Sequence, residues 1–216
     1  RDDVRGTRAQ AQELAAADRA RRCDAQMDQV ADDRLGEGQG GARDRSSHTG
    51  CGRRDHGGSA VSVLDLFCGI GNFTLPLARK AKQVLGIEGL ASLTTRAKAN
   101  AQHNGLADKA SFMQSDLFEV TNETIASWGR ADLWLMDPPR EGAMEICKAL
   151  ADLHLQKSAL LPKRIVYVSC NPKTLARDAD ILCHQAGYTL KGAGIVNMFP
   201  HTSHVESMAV FDRIQS

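Results

Sequence analysis

Residues 61–67, Val-Ser-Val-Leu-Asp-Leu-Phe, run without interruption into Cys68-Gly69-Ile70-Gly71-Asn72 and then into a helix-forming stretch. A buried strand that ends in a glycine turn and opens a helix is the start of an alternating α/β layout. The rest of the chain keeps that rhythm. Helical patterns over 72–82, 90–103, 141–153 and 173–186 alternate with strand patterns over 83–87, 110–113, 132–136 and 164–169. Two further strand patterns, 188–196 and 205–211, follow with no helix between them and should pair antiparallel. The expected fold is therefore α/β and Rossmann-like: a mostly parallel seven-stranded sheet covered on both faces, with a C-terminal antiparallel strand pair. Ligands on such sheets sit at the carboxyl ends of the strands.

Residues 1–60 do not share this pattern. Their large apolar side chains are Val4, Leu14, Met27, Val30 and Leu35, and they contain no aromatic residue. Eleven arginines are offset by eleven Asp and Glu, and the first lysine of the chain is Lys80. Such a segment cannot bury enough surface to offset its ordering entropy. Residues 1–60 are expected to be largely disordered or helical, with an Ala-rich solvated helix over 8–34, and the α/β domain to occupy 61–216. The abrupt change in composition also suggests a shifted reading frame or a broken gene start, with a genuine disordered tail as the rival. Translating the other two frames upstream of Val61 distinguishes the two.

Charge excludes little. With 27 basic and 26 acidic residues the net charge is +1, so no bulk basic field announces nucleic acid. No membrane-length apolar run or signal pattern is visible. The six cysteines lack paired metal-ligand spacing and read as reduced thiols of a cytoplasmic protein.

The chemistry-bearing residues fall at strand ends. Gly69 and Gly71 let the backbone turn tightly and approach a ligand. Glu88 ends the second strand about twenty residues beyond the loop, where an acidic residue meets the ribose hydroxyls of a nucleoside. Two glycines rather than three favour S-adenosylmethionine over NAD. Asp116 follows the third strand, with helix capping or simple solvation as its alternative. Asp137 opens Asp137-Pro138-Pro139-Arg140 after the fourth strand, with capping of the next helix as its alternative. Cys170 ends the fifth strand in Ser169-Cys170-Asn171-Pro172, where the following helix N-terminus would favour a thiolate. His201, His204 and Glu206 share a loop. Their spacing lacks a helical face, which argues for a substrate-shaping loop with Glu206 as a base over a metal site.

In order, residues 63–73, Asp137-Pro138-Pro139-Arg140, residues 165–172 and residues 198–207 resemble the RNA uracil-5-methyltransferase family. Within it they are most similar to the bacterial branch that makes 5-methyluridine in 23S ribosomal RNA, with the transfer-RNA branch as the nearer rival. The resemblance covers residues 61–216. It implies Cys170 as nucleophile and Glu206 as base. It also implies Phe67, Asn72, Glu88, Asp116 and Asp137 as cofactor-contacting positions beside Gly69 and Gly71, with S-adenosylmethionine as cofactor. The implied partner is ribosomal RNA, with no DNA or membrane partner, and the chain is expected to be monomeric.

The departure lies at the N-terminus. The family carries a small β-barrel RNA-binding domain there and, in the ribosomal branch, a four-cysteine iron–sulfur cluster. Cys23 and Cys51 do not reproduce the cluster spacing, so no cluster is expected in this chain. A Gln-Val-Asn segment expected before the first strand is also absent. The rival activities are an amino-group methyltransferase, suggested by Asp137-Pro138-Pro139 but needing no cysteine, and a fragment that binds cofactor or RNA without turnover.

Overall fold

The computed structural model describes residues 61–196 and 205–214. The expectations for residues 1–60, and for His201 and His204, lie outside the described residues.

Seven strands form one sheet: β1 Ser62–Leu66, β2 Gln83–Glu88, β3 Ala110–Gln114, β4 Leu133–Met136, β5 Arg164–Ser169, β6 Tyr188–Val196 and β7 Glu206–Arg213. The helices are α1 Thr74–Lys80, α2 Ala91–His103, α3 Asn122–Trp128, α4 Met144–Leu155 and α5 Pro172–His184. The spatial order is β3-β2-β1-β4-β5-β7-β6. Strands β1 to β5 are mutually parallel, and β7 runs antiparallel to both β5 and β6. The α/β class, the parallel majority and the antiparallel pair match the sequence expectation. The order reverses between β1 and β4, the position at which doubly wound sheets open a ligand crevice.

Alternation along each strand feeds two core layers. Leu64 and Leu66 of β1 join Trp134, Met136, Ile165, Tyr167 and Phe211 against Ile146 and Leu150 of α4 and Ile181 and Leu182 of α5. On the other face Val63, Val84 and Phe112 pack on Ala78 of α1 and on Ala97 and Ala101 of α2. Small residues on those two helices let them lie close to the sheet. Trp134 is fully buried, with its ring centroid 6.0 Å from that of Trp128 in an edge-on arrangement. Among the described residues no helix is long and apolar enough to cross a membrane.

Several helix boundaries differ from those read in the sequence. The helix expected from residue 141 starts at Met144, because Gly142 holds φ at +81° and breaks helical geometry. The helix expected from residue 72 starts at Thr74, after the turn begun by Gly71 has finished. Helix α3 has no counterpart in the sequence reading. It is seven residues long, and its inward signal is Ile125 and Trp128 alone. Its start is fixed by a reciprocal cap between Thr121 and Thr124.

Candidate active site

The glycine loop is held from three sides. The Cys68 N–H donates to the Ile87 carbonyl at 3.1 Å, and the Gly71 N–H to the Cys68 carbonyl at 2.9 Å. Asn100 of α2 reaches across to donate from Nδ2 to the Ile70 carbonyl at 3.0 Å. Glu88 uses both carboxylate oxygens: Oε2 accepts the Gly69 N–H at 3.0 Å and Oε1 the Leu90 N–H at 3.1 Å. Glu88 therefore shapes the loop, a task its strand-end position did not disclose. Each oxygen keeps a second lone pair for a ribose hydroxyl.

Phe67, at φ +64°, leaves β1 in a left-handed conformation and sets its ring edge-on to Phe118, with centroids 5.7 Å apart. Gly69, at φ +56°, has no atom within 4 Å of where a Cβ would stand, so the loop presents bare backbone to open space. Asn72 lies half-buried in the turn that follows Gly71. Below the loop, Asp65 is fully buried. Its Oδ2 accepts from Thr74 Oγ1 at 2.5 Å, while its buried Oδ1 has no hydrogen-bond partner. Burial pushes its carboxyl up to about 7, against the pull of the Thr74 hydrogen bond and helped by the nearby Asp137 and Glu88 charges. A bare-backbone cradle, an acidic strand end and a buried orphan oxygen beneath them fit a nucleoside cofactor that carries positive charge.

Asp116 is exposed and its Oδ1 accepts the Phe118 N–H at 2.8 Å. The next helix is capped by Thr121, so Asp116 does not cap it. Asp137 follows β4 directly, and its N–H donates to the Leu66 carbonyl at 3.3 Å, which ties it to the end of β1. Helix α4 has Ala143 at its N-cap, so the capping alternative for Asp137 does not hold either.

Cys170 and Glu206 both adjoin the last pair of the β5–β7 ladder. In that antiparallel pair Arg164 faces Asp212 and Ser169 faces Ser207, and Cys170 and Glu206 are the chain neighbours of these last two residues. The Ser207 hydroxyl donates to the Ser169 carbonyl at 3.0 Å and locks that end of the ladder. Glu206 is buried and Cys170 is half-buried. The Cys170 thiol is raised above the ordinary cysteine range, first by burial and then by the Glu206 carboxylate; Arg140 pulls it down and Asp137 pushes it up. Burial and two carboxylates thus act against the thiolate, and the Arg140 charge acts for it.

Residues given no role in the sequence reading hold this arrangement together. Asn171 caps α5 by accepting the Lys173 N–H at 3.1 Å, and its Nδ2 donates to the Arg140 carbonyl. Asp178 is fully buried and bonds the Tyr167 hydroxyl, the Ala143 N–H and Arg177. A signal was present in the sequence: Asp178 interrupts the apolar stripe Leu175, Ile181, Leu182. Among the described residues no group of three or more His, Cys, Asp and Glu could hold a metal ion.

The β1, β2, β4 and β5 ends, together with the start of β7, therefore gather Phe67, Gly69, Gly71, Asn72, Glu88, Asp137, Cys170 and Glu206 on one rim. Asp116 stands two residues past β3, at its outer edge. Such a rim can hold a nucleoside at the β1–β2 end and present a thiol and a carboxylate to a second ligand at the β5–β7 end.

Comparison with known proteins agrees with this layout. Over 151 residues the chain is 85% identical to the 23S rRNA (uracil(1939)-C(5))-methyltransferase RlmD of Polynucleobacter necessarius, covering 70% of this chain and 32% of that protein. It is 68% identical to RlmD of Cupriavidus pinatubonensis, covering 70% of this chain and 33% of that protein. The chain thus spans about a third of the length of the curated relatives it matches. Among solved structures it is similar to the tRNA (uracil-54, C5)-methyltransferase of Pyrococcus abyssi in complex with S-adenosyl-L-homocysteine. The TM-score is 0.57 at 30% identity, covering 71% of this chain and 35% of that one. TrmN from Thermus thermophilus, with a TM-score of 0.54 at 21% identity and coverage of 73% and 45%, shows the shared fold alone. Residues 55–214 match the model of the tRNA (Uracil-5-)-methyltransferases. On that match, the chain belongs to the tRNA (Uracil-5-)-methyltransferase family.

Proposed function

We propose that this chain is the catalytic part of an S-adenosylmethionine-dependent enzyme that methylates C5 of a uridine in 23S ribosomal RNA. The observation that carries the reading is the β5–β7 register, whose last pair, Ser169 and Ser207, adjoins Cys170 and Glu206 on the rim that also bears the glycine loop. An amino-group methyltransferase has no use for that pair. The similarity to RlmD proteins favours ribosomal RNA over transfer RNA as the substrate, and a cytoplasmic site of action follows from that substrate.

Gly69, Gly71 and Glu88 would cradle the nucleoside half of the cofactor, with Phe67, Asn72, Asp116 and Asp137 around it. When bound, S-adenosylmethionine supplies an electrophilic methyl group. Uracil C5 is a poor nucleophile, and Cys170 corrects this. Its thiolate attacks C6, the S–C6 bond forms, and the C5–C6 double-bond electrons move toward C5 as an enolate. After C5 has been methylated, Glu206 removes the C5 proton. The electrons of that C–H bond restore the C5–C6 double bond as the S–C6 bond breaks and Cys170 leaves. The uridine has to swing out of its stack to reach the rim.

The thiol's raised range sets the pH dependence. The reactive form is the thiolate, so turnover at limiting RNA should rise with pH into the alkaline range.

Two variants test the assignment with labelled cofactor and a uridine-containing 23S rRNA fragment. Cys170→Ala should lose methyl transfer while binding cofactor as the parent does. Glu206→Gln should methylate C5 but fail to release it, leaving a protein–RNA adduct on a denaturing gel. Turnover by Cys170→Ala would sink the nucleophile, and normal product release without adduct in Glu206→Gln would sink the base.

A further inference from the structure

The loop between β4 and α4 is clasped from β5 and α5. Asn171 Nδ2 and Thr174 Oγ1 donate to the Arg140 carbonyl at 3.1 and 3.2 Å. Arg177 Nη2 donates to the Glu141 carbonyl at 2.8 Å. The Ala143 N–H lies 2.7 Å from Asp178 Oδ2 and 3.0 Å from the Tyr167 hydroxyl oxygen. That hydroxyl itself donates to Asp178 Oδ2 at 2.6 Å, and Asp178 Oδ1 accepts from Arg177 Nε at 2.8 Å. The fit is tight: a Cβ on Gly142 would stand 2.6 Å from both Arg177 Nη2 and Asp178 Oδ2.

A fully buried carboxylate is costly to keep and is weak grounds for stability by itself. Here every bond of the Asp178 network that leaves β5 and α5 ends on the backbone of one loop. That loop begins at Asp137 and carries Arg140, whose backbone is held by Asn171, the residue next to Cys170. Three charged groups act on the Cys170 sulfur: Glu206 from β7, and Asp137 and Arg140 from this loop. Arg140 is the one that favours a thiolate.

We propose that Asp178 is a positioning residue: through Tyr167, Arg177 and the Ala143 N–H it holds the Asp137–Arg140 loop, whose Arg140 carbonyl is bonded by Asn171, and so keeps the Arg140 charge within reach of Cys170. This deepens the reading of Cys170 as nucleophile and rests on it. The measurement below needs neither RNA nor cofactor, so its outcome is separate from whether the chain methylates uridine.

The probe is iodoacetamide, from which the thiolate sulfur displaces iodide to form an S–C bond. Alkylation of the Cys170 peptide in the whole chain is followed by mass spectrometry as a function of pH. Arg140→Met should raise the midpoint by roughly half a unit to one unit, an exposed cation being screened by solvent. Asp178→Asn should raise it in the same direction, and the double variant Arg140→Met/Asp178→Asn should go no higher than Arg140→Met alone. The sign is diagnostic. Removing the Asp178 charge acts directly only to lower the midpoint, so an upward shift has to travel through the loop. Tyr167→Phe keeps the ring in the core, should give a smaller upward shift, and carries the test if Asp178→Asn does not melt cooperatively. A folded Asp178→Asn or Tyr167→Phe with an unmoved or lowered midpoint overturns the proposal. So does a shift in Asp178→Asn that adds in full to that of Arg140→Met.

Discussion

Asp65 occupies a position in β1 where an apolar side chain would be expected, between Leu64 and Leu66 and with no exposure to water. Its carboxyl is pushed up to about 7 by burial, against an ordinary value near 4 in the unfolded chain. The folded protein therefore binds a proton more tightly than the unfolded one, and stability falls as pH rises between those two values. Across that window the loss from this group is on the order of 4 kcal/mol. Asp65→Asn, which keeps an acceptor for Thr74, should flatten the pH dependence of the denaturation midpoint between pH 4 and 7. An equal slope in parent and variant would show that the proton sits elsewhere. The strand-end positions of Cys170 and Glu88 were legible in the sequence because residue type and an element end coincide, whereas Glu206, read as part of a loop, is the first residue of β7. Asp65 and Asp178 were not legible, because a charge inside an apolar pattern gains its meaning only from the partners packed against it.

At the level of elements, the loop from Phe67 to Asn72 is set by backbone geometry more than by side chains. Gly71 holds φ at +92°, and a Cβ there would stand 3.3 Å from Phe112 Cζ and 3.4 Å from Leu75 Cγ. Gly71→Ala should therefore cost about 1–2 kcal/mol from the left-handed backbone alone. A lowered urea midpoint with an unchanged m-value is the expected result, and an unchanged midpoint would mean that the loop relaxes freely. The β5–β7 ladder shows a different kind of control. A one-residue slip would turn every side chain of β7 to the opposite face and move Glu206 out of line with Cys170. Phe211 and Ala209, both in the core with Tyr167 and Ile165, prevent that slip. Helix starts were less legible than strands, since Gly142 and the turn after Gly71 override helix-forming residues nearby, and the short helix α3 was not legible at all.

For the molecule as a whole, the crevice exists because β1 and β4 are neighbours while their chain continuations leave in opposite directions across the sheet. Cofactor bound there would bridge the ends of β1, β2 and β4 and should stabilise the fold by mass action. At 100 times its dissociation constant, S-adenosylhomocysteine should add about 2.7 kcal/mol and raise the melting temperature. Glu88→Ala, which loses two loop hydrogen bonds and the expected ribose acceptor, should lose most of that rise at the same concentration. A full rise in the variant would place the ligand away from the end of β2. The sequence by itself determined the strand–helix alternation, the glycine turn and the residue types at strand ends, because each is a local or periodic property of neighbouring residues. Only the tertiary structure decided that β7 inserts between β5 and β6, that Glu206 and Cys170 adjoin the same end of the β5–β7 ladder, and that Asp178 reaches the loop after β4. These pairings join residues as far apart as Arg164 and Asp212, separated by 48 positions. Their register follows from which faces the whole sheet can bury, and no local pattern encodes that.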